Sequence, residues 1–329
     1  MDKDKKIIFS GIQPSGNLHL GNYLGAINNW LELQDKYQCI FCVVDYHAIT
    51  VKQEPNLLKE KIKEVVKIYL ASGIDPEKSI IFQQSQISEH TELAWILNCV
   101  SARMSDLNKM TQFKDKAGND KNVGIGLFDY PVLMASDILL YQTDFVPVGD
   151  DQKQHVELTK TLAKRFNHDY AEVFKIPEAM IKKEGARIMS LNNINKKMSK
   201  SALSEMSYIA LLDHPEKARK KIMKAVTDSE GIVKYDLDKK PEISNLLIIF
   251  SLLSNLSIKD LEDKYKNKDY GQFKKDLATV VVEFLESFQD KYFKISEEEV
   301  DNILRKGSEK IKSIASNTIK KVKKNIGLL

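Results

Sequence analysis

The chain is short of cysteine, of long apolar runs and of repeats, and each shortage removes a class of protein. Its three cysteines are Cys39, Cys42 and Cys99. Cys39 and Cys42 have the spacing of half a zinc site or a redox pair, but no second pair completes a site. They also lie in an apolar, strand-like run, and residues three apart on a strand point to opposite faces. Two buried structural thiols are expected. No cluster of Asp, Glu or His suggests a cage for a metal. No run approaches the roughly 18 apolar residues that would span a bilayer. The N-terminus leads directly into a strand without the apolar region of a signal peptide. A cytoplasmic chain that engages no membrane is expected. Nor does the sequence repeat itself or contain a low-complexity segment.

What is present fits a globular chain. At 329 residues the length suits roughly two domains of about 150 residues each. The 43% apolar content excludes a disordered chain. A net charge of +4 permits an RNA partner without requiring one. Strand-like runs at Ile7–Ser10, Cys39–Asp45, Ser79–Gln83 and Phe145–Val148 alternate with helix-like runs. Those are Asn22–Asp35, Asn56–Ser72, Glu89–Val100, Tyr130–Tyr141 and Asp150–Phe166. Such alternation implies an α/β fold, a parallel sheet with helices on both faces. The polar stretch from Ala102 to Val123 reads as an insertion. From Ser204 onward the pattern is helical only: Ser204–Val226, Glu242–Leu256, Ile258–Lys266, Tyr270–Phe293 and Glu297–Ile326.

Two stretches carry chemistry. Gly11-Ile-Gln-Pro-Ser-Gly-Asn-Leu-His-Leu-Gly-Asn22 joins the first strand to the first helix. A glycine-rich turn there either shapes a tight connection or lets backbone approach a nucleotide. Lys197-Met-Ser-Lys-Ser201 offers two cations, two hydroxyls and an apolar anchor at Met198. Alone it is equally a solvated lysine loop. A third feature is the apolar helix around Asp137. Tyr130, Met134, Asp137 and Tyr141 fall at i, i+4, i+7 and i+11, on one face. A carboxylate in an apolar stripe is costly unless a donor meets it. That donor is a ligand or a backbone N–H; the remaining reading turns Asp137 to solvent.

His19-Leu-Gly-Asn22 and Lys197–Ser201, in that order, resemble the paired signatures of the class I aminoacyl-tRNA synthetases. Asn22 stands where many relatives carry a second histidine. Further runs resemble the bacterial tryptophanyl branch: Asp45-Tyr-His-Ala-Ile-Thr50, Met110-Thr-Gln-Phe-Lys114, Val146-Pro-Val-Gly-Asp-Asp-Gln-Lys-Gln-His155, Gly185-Ala-Arg-Ile-Met-Ser190 and Thr227-Asp-Ser-Glu-Gly231. The likeness spans almost the whole chain. It implies a Rossmann-type catalytic domain over residues 1–189 and an all-α domain over 190–296 that reads the anticodon region. The last helix, within 297–329, would pack back on the sheet.

The resemblance also implies substrates and site residues. Tryptophan, ATP with magnesium held by its phosphates, and tRNA(Trp) would be the substrates of a homodimer. Nothing points to DNA. ATP would meet Gln13, Pro14, Ser15, His19, Gly21 and Asn22, then Gly149, Asp150, Asp151 and Ile188, and finally Lys197, Met198, Ser199, Lys200 and Ser201. Lys197, Lys200, Gln13 and His19 would be the catalytic residues. Asp137 would accept the indole N–H, with Phe9, Gly11, Val44, His47, Met134, Val146 and Val148 around the ring. Tyr130 and Gln152 would hold the α-ammonium. A tyrosyl enzyme shares fold and signatures. A sensor that has lost catalysis would be expected to lose Lys197 and Lys200, which this chain keeps. One departure stands out: relatives usually place Asp just after the second signature, where this chain has Ala202-Leu-Ser204. Ser204 is expected to cap the helix that follows.

Overall fold

A computed structural model describes residues 5–110, 123–149, 152–180, 187–199 and 204–329. Five parallel strands form one sheet in the order β3-β2-β1-β4-β5. They are β1 (Ile7–Ile12), β2 (Gln38–Val43), β3 (Ser79–Gln83), β4 (Phe145–Pro147) and β5 (Glu178–Met180). The chain runs outward from β1 to β3 on one side, then returns to place β4 on the other. The switch at β1/β4 opens a crevice at the carboxyl ends of the strands, where α/β sheets take ligands. β5 is an addition to the sequence reading; at three residues it is too short to show a period.

The strands are near-continuous apolar runs because both faces of a parallel sheet are covered. Along β2, Cys39, Phe41 and Val43 join one core with Trp30 and Tyr69. Ile40 and Cys42 join the other with Phe82 and Tyr141. The two thiols thus face opposite ways, as the spacing required. Burial pushes the Cys39 thiol up to about 12 and Cys42 well above its ordinary value. Neither is a reactive thiolate.

The helices before the second half are α1 (Leu20–Asn22), α2 (Asn28–Leu33), α3 (Asp45–Ala48), α4 (Pro55–Ser72), α5 (Glu89–Val100), α6 (Met104–Leu107), α7 (Ile125–Leu139) and α8 (Lys153–Asp169). A π-helical stretch, Tyr23–Ile27, links α1 to α2. Gly73 ends α4 at φ 103°, a left-handed position that glycine takes without strain. The helix expected at Asn22–Asp35 therefore begins two residues earlier, at Leu20, behind a histidine cap. The one expected at Tyr130–Tyr141 begins at Ile125 and carries Pro131 inside it. The insertion contributes α6, and its residues 111–122 lie outside the described residues.

The later helices are α9 (Pro215–Met223), α10 (Pro241–Ser254), α11 (Ile258–Tyr265), α12 (Tyr270–Lys294) and α13 (Glu297–Asn325). The helix expected over Ser204–Val226 is corrected. Only a 3₁₀ turn, Glu205–Ser207, follows Ser204. The next residues run extended, because their backbone is taken by other segments. Leu191 donates to the Ser207 carbonyl, Leu20 to that of Ile209, and Leu211 to that of Leu18. Tertiary pairing thus overrides helical spacing. Helix resumes only at Pro215, behind a His214 cap.

α13 returns to the sheet. Its Ile311, Ala315, Ile319 and Val322 enter the core that holds Phe82 and Tyr141. Gly307 lies against β3 so closely that a Cβ would overlap the Ile81 carbonyl oxygen and stand 2.7 Å from its carbon. Among the described residues no single helix is long and apolar enough to cross a membrane.

Candidate functional site

The first signature is fixed at the end of β1. Gln13 donates its side-chain amide to the His47 carbonyl at 2.6 Å, and Ser15 closes a turn on the Gln13 carbonyl. His19 is buried and caps α1. Its Nδ1 accepts from the Asn22 N–H at 3.3 Å, while the Asn22 side chain accepts from the His19 N–H at 3.1 Å. This reciprocal cap satisfies two orphan donors of a helix start. It gives the unusual Asn22 a local role, because a short amide reaches back to the cap. Pro14 is buried in the same turn.

The second signature is drawn against the first. Lys197 bridges to Met189, Met198 donates to the Ile188 carbonyl at 3.0 Å, and Ser190 donates to that of Lys196 at 2.8 Å. Met198, 2% exposed, joins a core with Leu20, Leu24 and Ile188, so it is the expected anchor. Gly21 lies between: a Cβ there would come 3.1 Å from His19 Nδ1 and 3.4 Å from the Met198 Cβ. Lys197 is exposed and Ser199 half-buried. Asp150, Asp151, Lys200 and Ser201 lie outside the described residues.

All ten residues expected at the amino-acid end line one cavity of about 320 Å³. Phe9 and Gly11 come from β1, Val44 and His47 from the end of β2 and α3. Tyr130, Met134 and Asp137 come from one face of α7; Val146, Val148 and Gln152 come from β4 and its exit. Gly149 and Gln13 line it too, so the cavity reaches the nucleotide turn. A Cβ on Gly11 would stand 2.8 Å from a Val44 methyl and 3.2 Å from the Cys42 carbonyl oxygen, so a side chain there would displace the Val44 wall.

Asp137, 1% exposed, does not turn to solvent, and within the protein side chains rather than a backbone N–H meet it. Three side chains satisfy it. Gln84 and His90 reach Oδ1 at 2.7 and 2.6 Å, and His47 reaches Oδ2 at 2.7 Å. Burial pushes its carboxyl up, but the facing imidazoles of His47 and His90 outweigh that and hold it well below the usual carboxylate range. The group is an ionised, acceptor-only carboxylate in a cavity wall. Tyr130 pairs with His155 at 3.0 Å, and burial pushes its phenol up to about 12. It stays protonated and able to donate. Gln84, His90 and His155 were missed by the sequence reading. A polar residue on a buried face was the available signal, but it names no partner.

Comparison with known proteins agrees with this geometry. A family profile described as tRNA synthetases class I (W and Y) matches residues 1–286. The chain belongs to that family. It is 53% identical over 325 residues to the tryptophan–tRNA ligase of Bacillus subtilis, covering 98% of each. The tryptophanyl-tRNA synthetase structure from Mycoplasma pneumoniae is 36% identical and superposes with a TM-score of 0.92, over 99% of this chain and 98% of that one. The Campylobacter jejuni tryptophanyl-tRNA synthetase, solved with ADP and tryptophan, is 34% identical with a TM-score of 0.83, over 98% of this chain and 100% of that one. The sheet with its flanking helices is the Rossmann-type fold of this family.

Proposed function

We propose that the chain is a tryptophan–tRNA ligase. The tryptophan carboxylate attacks the α-phosphate of ATP, giving tryptophanyl-adenylate and pyrophosphate. A terminal ribose hydroxyl of tRNA(Trp) then takes the aminoacyl group, and AMP leaves. The observation that carries this reading is Asp137, a buried carboxylate facing a mostly apolar cavity. An indole N–H supplies the donor that such a wall selects, and the apolar residues around it suit a ring. A phenol also donates, but the ten-residue match to the tryptophanyl pattern favours indole.

The chemistry asks for alignment and charge stabilisation rather than covalent help. Lys197 and Lys200 neutralise charge moving onto pyrophosphate. Gln13–Ser15, His19, Gly21 and Asn22 approach the phosphates and adenine, while Gly149, Asp150 and Asp151 meet the ribose. Tyr130 and Gln152 hold the α-ammonium. ATP enters as its magnesium complex, with the ion on phosphate oxygens.

Residues 190–296 read the anticodon region, and the enzyme works in the cytoplasm as a homodimer. Trp95 on α5, Met104 on α6 and Ile125 on α7 are large, apolar and exposed on neighbouring helices, which suits a self-interface. The deciding experiment is amino-acid-dependent pyrophosphate exchange. Exchange driven by tryptophan and not by tyrosine is expected; the reverse preference sinks the reading. Sedimentation of wild type against Trp95→Asp tests the dimer.

A further inference from the structure

Asp137 has neighbours that never touch the cavity. Gln84, His90 and Tyr141 are fully buried, and none of them lines it. His90 contacts Asp137 Oδ1 through Nδ1 at 2.6 Å and the Tyr141 hydroxyl through Nε2 at 2.6 Å. An ionised carboxylate only accepts. His90 therefore carries a proton on Nδ1, and the Tyr141 hydroxyl holds the ring at Nε2. Gln84 is oriented just as firmly. Its Oε1 accepts from the Tyr46 N–H at 3.0 Å, which turns its NH₂ toward Asp137. The His90 ring stacks on Phe82, and Ser136 donates to its carbonyl at 2.6 Å.

The result is asymmetric. Oδ1 receives two protein donors, whereas Oδ2 receives one, from His47. His47 itself lines the cavity. We propose that His90, held by Tyr141, and Gln84 are positioning residues that saturate Oδ1 and leave Oδ2 as the acceptor for the ligand's N–H. The strictness with which an indole N–H is required is then set behind the pocket wall. Without the His90 donor, the carboxylate can turn, and Oδ1 competes for His47 and for the ligand. This rests on the reading that the cavity holds the indole.

The test compares kcat/KM for tryptophan with that for 3-benzothienyl-alanine, which replaces the N–H by sulfur, in pyrophosphate exchange. Wild type should prefer tryptophan by about 10²-fold or more, since a site built around a polar group rejects its absence. His90→Leu should cut that ratio by about tenfold or more, with the KM for ATP within about twofold of wild type. His90→Asn, whose NH₂ can stand in for Nδ1–H, should restore most of it. If His90→Leu does not fold, Tyr141→Phe removes a single oxygen and should lower the ratio by roughly threefold. No preference in wild type would overturn the indole reading itself. A wild-type preference that Asp137→Asn abolishes but neither His90→Leu nor Tyr141→Phe alters would overturn only the positioning role.

Discussion

At the Asp137 end of the site, side chains hold other side chains. Asp137, His47, His90 and Gln84 come from α7, α3, α5 and the turn after β3, and each is oriented by hydrogen bonds. At the signature end, backbone holds backbone. His19 bridges to Ala210, Lys197 to Met189, and Met198 to Ile188. The cation itself, Lys197, stays exposed beside a buried methionine. Reading an N–H needs an acceptor fixed before the ligand arrives. Stabilising charge on a leaving group needs a cation delivered to it, and an anchored segment delivers one without burying it. On the proposed reading, discrimination rests on the packed core, and charge stabilisation rests on a segment held by backbone bonds at Lys196 and Met198.

The sharpest way to break this contrast is Asp137→Ala. It removes the acceptor and leaves His47, His90 and Gln84 facing one another without their partner. A loss of about 10³-fold or more in kcat/KM for tryptophan is expected, with ATP binding largely kept. Calorimetric titration with each substrate checks it. Equal weakening of both would show that the two ends are not separable.

Lys197→Ala and Lys200→Ala should do the opposite. Single-turnover adenylate formation should slow by about 10²-fold, while tryptophan binding stays near wild type. Rates close to wild type would remove these lysines from the chemistry. A smaller effect is expected from Gly307→Ala, which forces α13 off the Ile81 carbonyl. Overpacking of this kind costs about 1–3 kcal/mol. Because α13 packs with Phe82 and Tyr141, the KM for tryptophan should rise more than that for ATP. Denaturant unfolding and steady-state kinetics together test this.

The first half of the fold was legible because strands and helices there have clean, contrasting periods. β3, Ser79–Gln83, was placed at the bounds observed, and α5 likewise. β5 and α3 were not, since three or four residues carry no period. Helical spacing put Tyr130, Met134 and Asp137 on one face, but only the family resemblance placed the ten wall residues, from four separate stretches, together. Its support was not, because Gln84 and His90 meet Asp137 across more than forty residues of sequence. The long helix expected after Ser204 failed for a related reason. Ser207, Ile209 and Leu211 exchange backbone hydrogen bonds with Leu191, Leu20 and Leu18. Nothing local in the sequence announces such distant pairing.

That failure resizes the smallest prediction. Ser204 does cap: its side chain accepts from the Met206 N–H at 3.3 Å. It caps only the three-residue turn Glu205–Ser207, however, and it is itself exposed. Replacing a cap by Ala typically costs about 0.5–2 kcal/mol in a true helix. A single exposed 3₁₀ turn, with the Ser207 N–H still bonded to the Ser204 carbonyl at 3.0 Å, should stand at or below the low end. Ser204→Ala is therefore expected to lower Tm by a degree or two, roughly what 0.5 kcal/mol gives a chain of this size. His214→Ala should cost more, since His214 caps the nine-residue helix α9. If Ser204→Ala costs as much as His214→Ala, the turn after the second signature is more than a local cap. The lysine segment would then draw stability from its far side as well as from Met198.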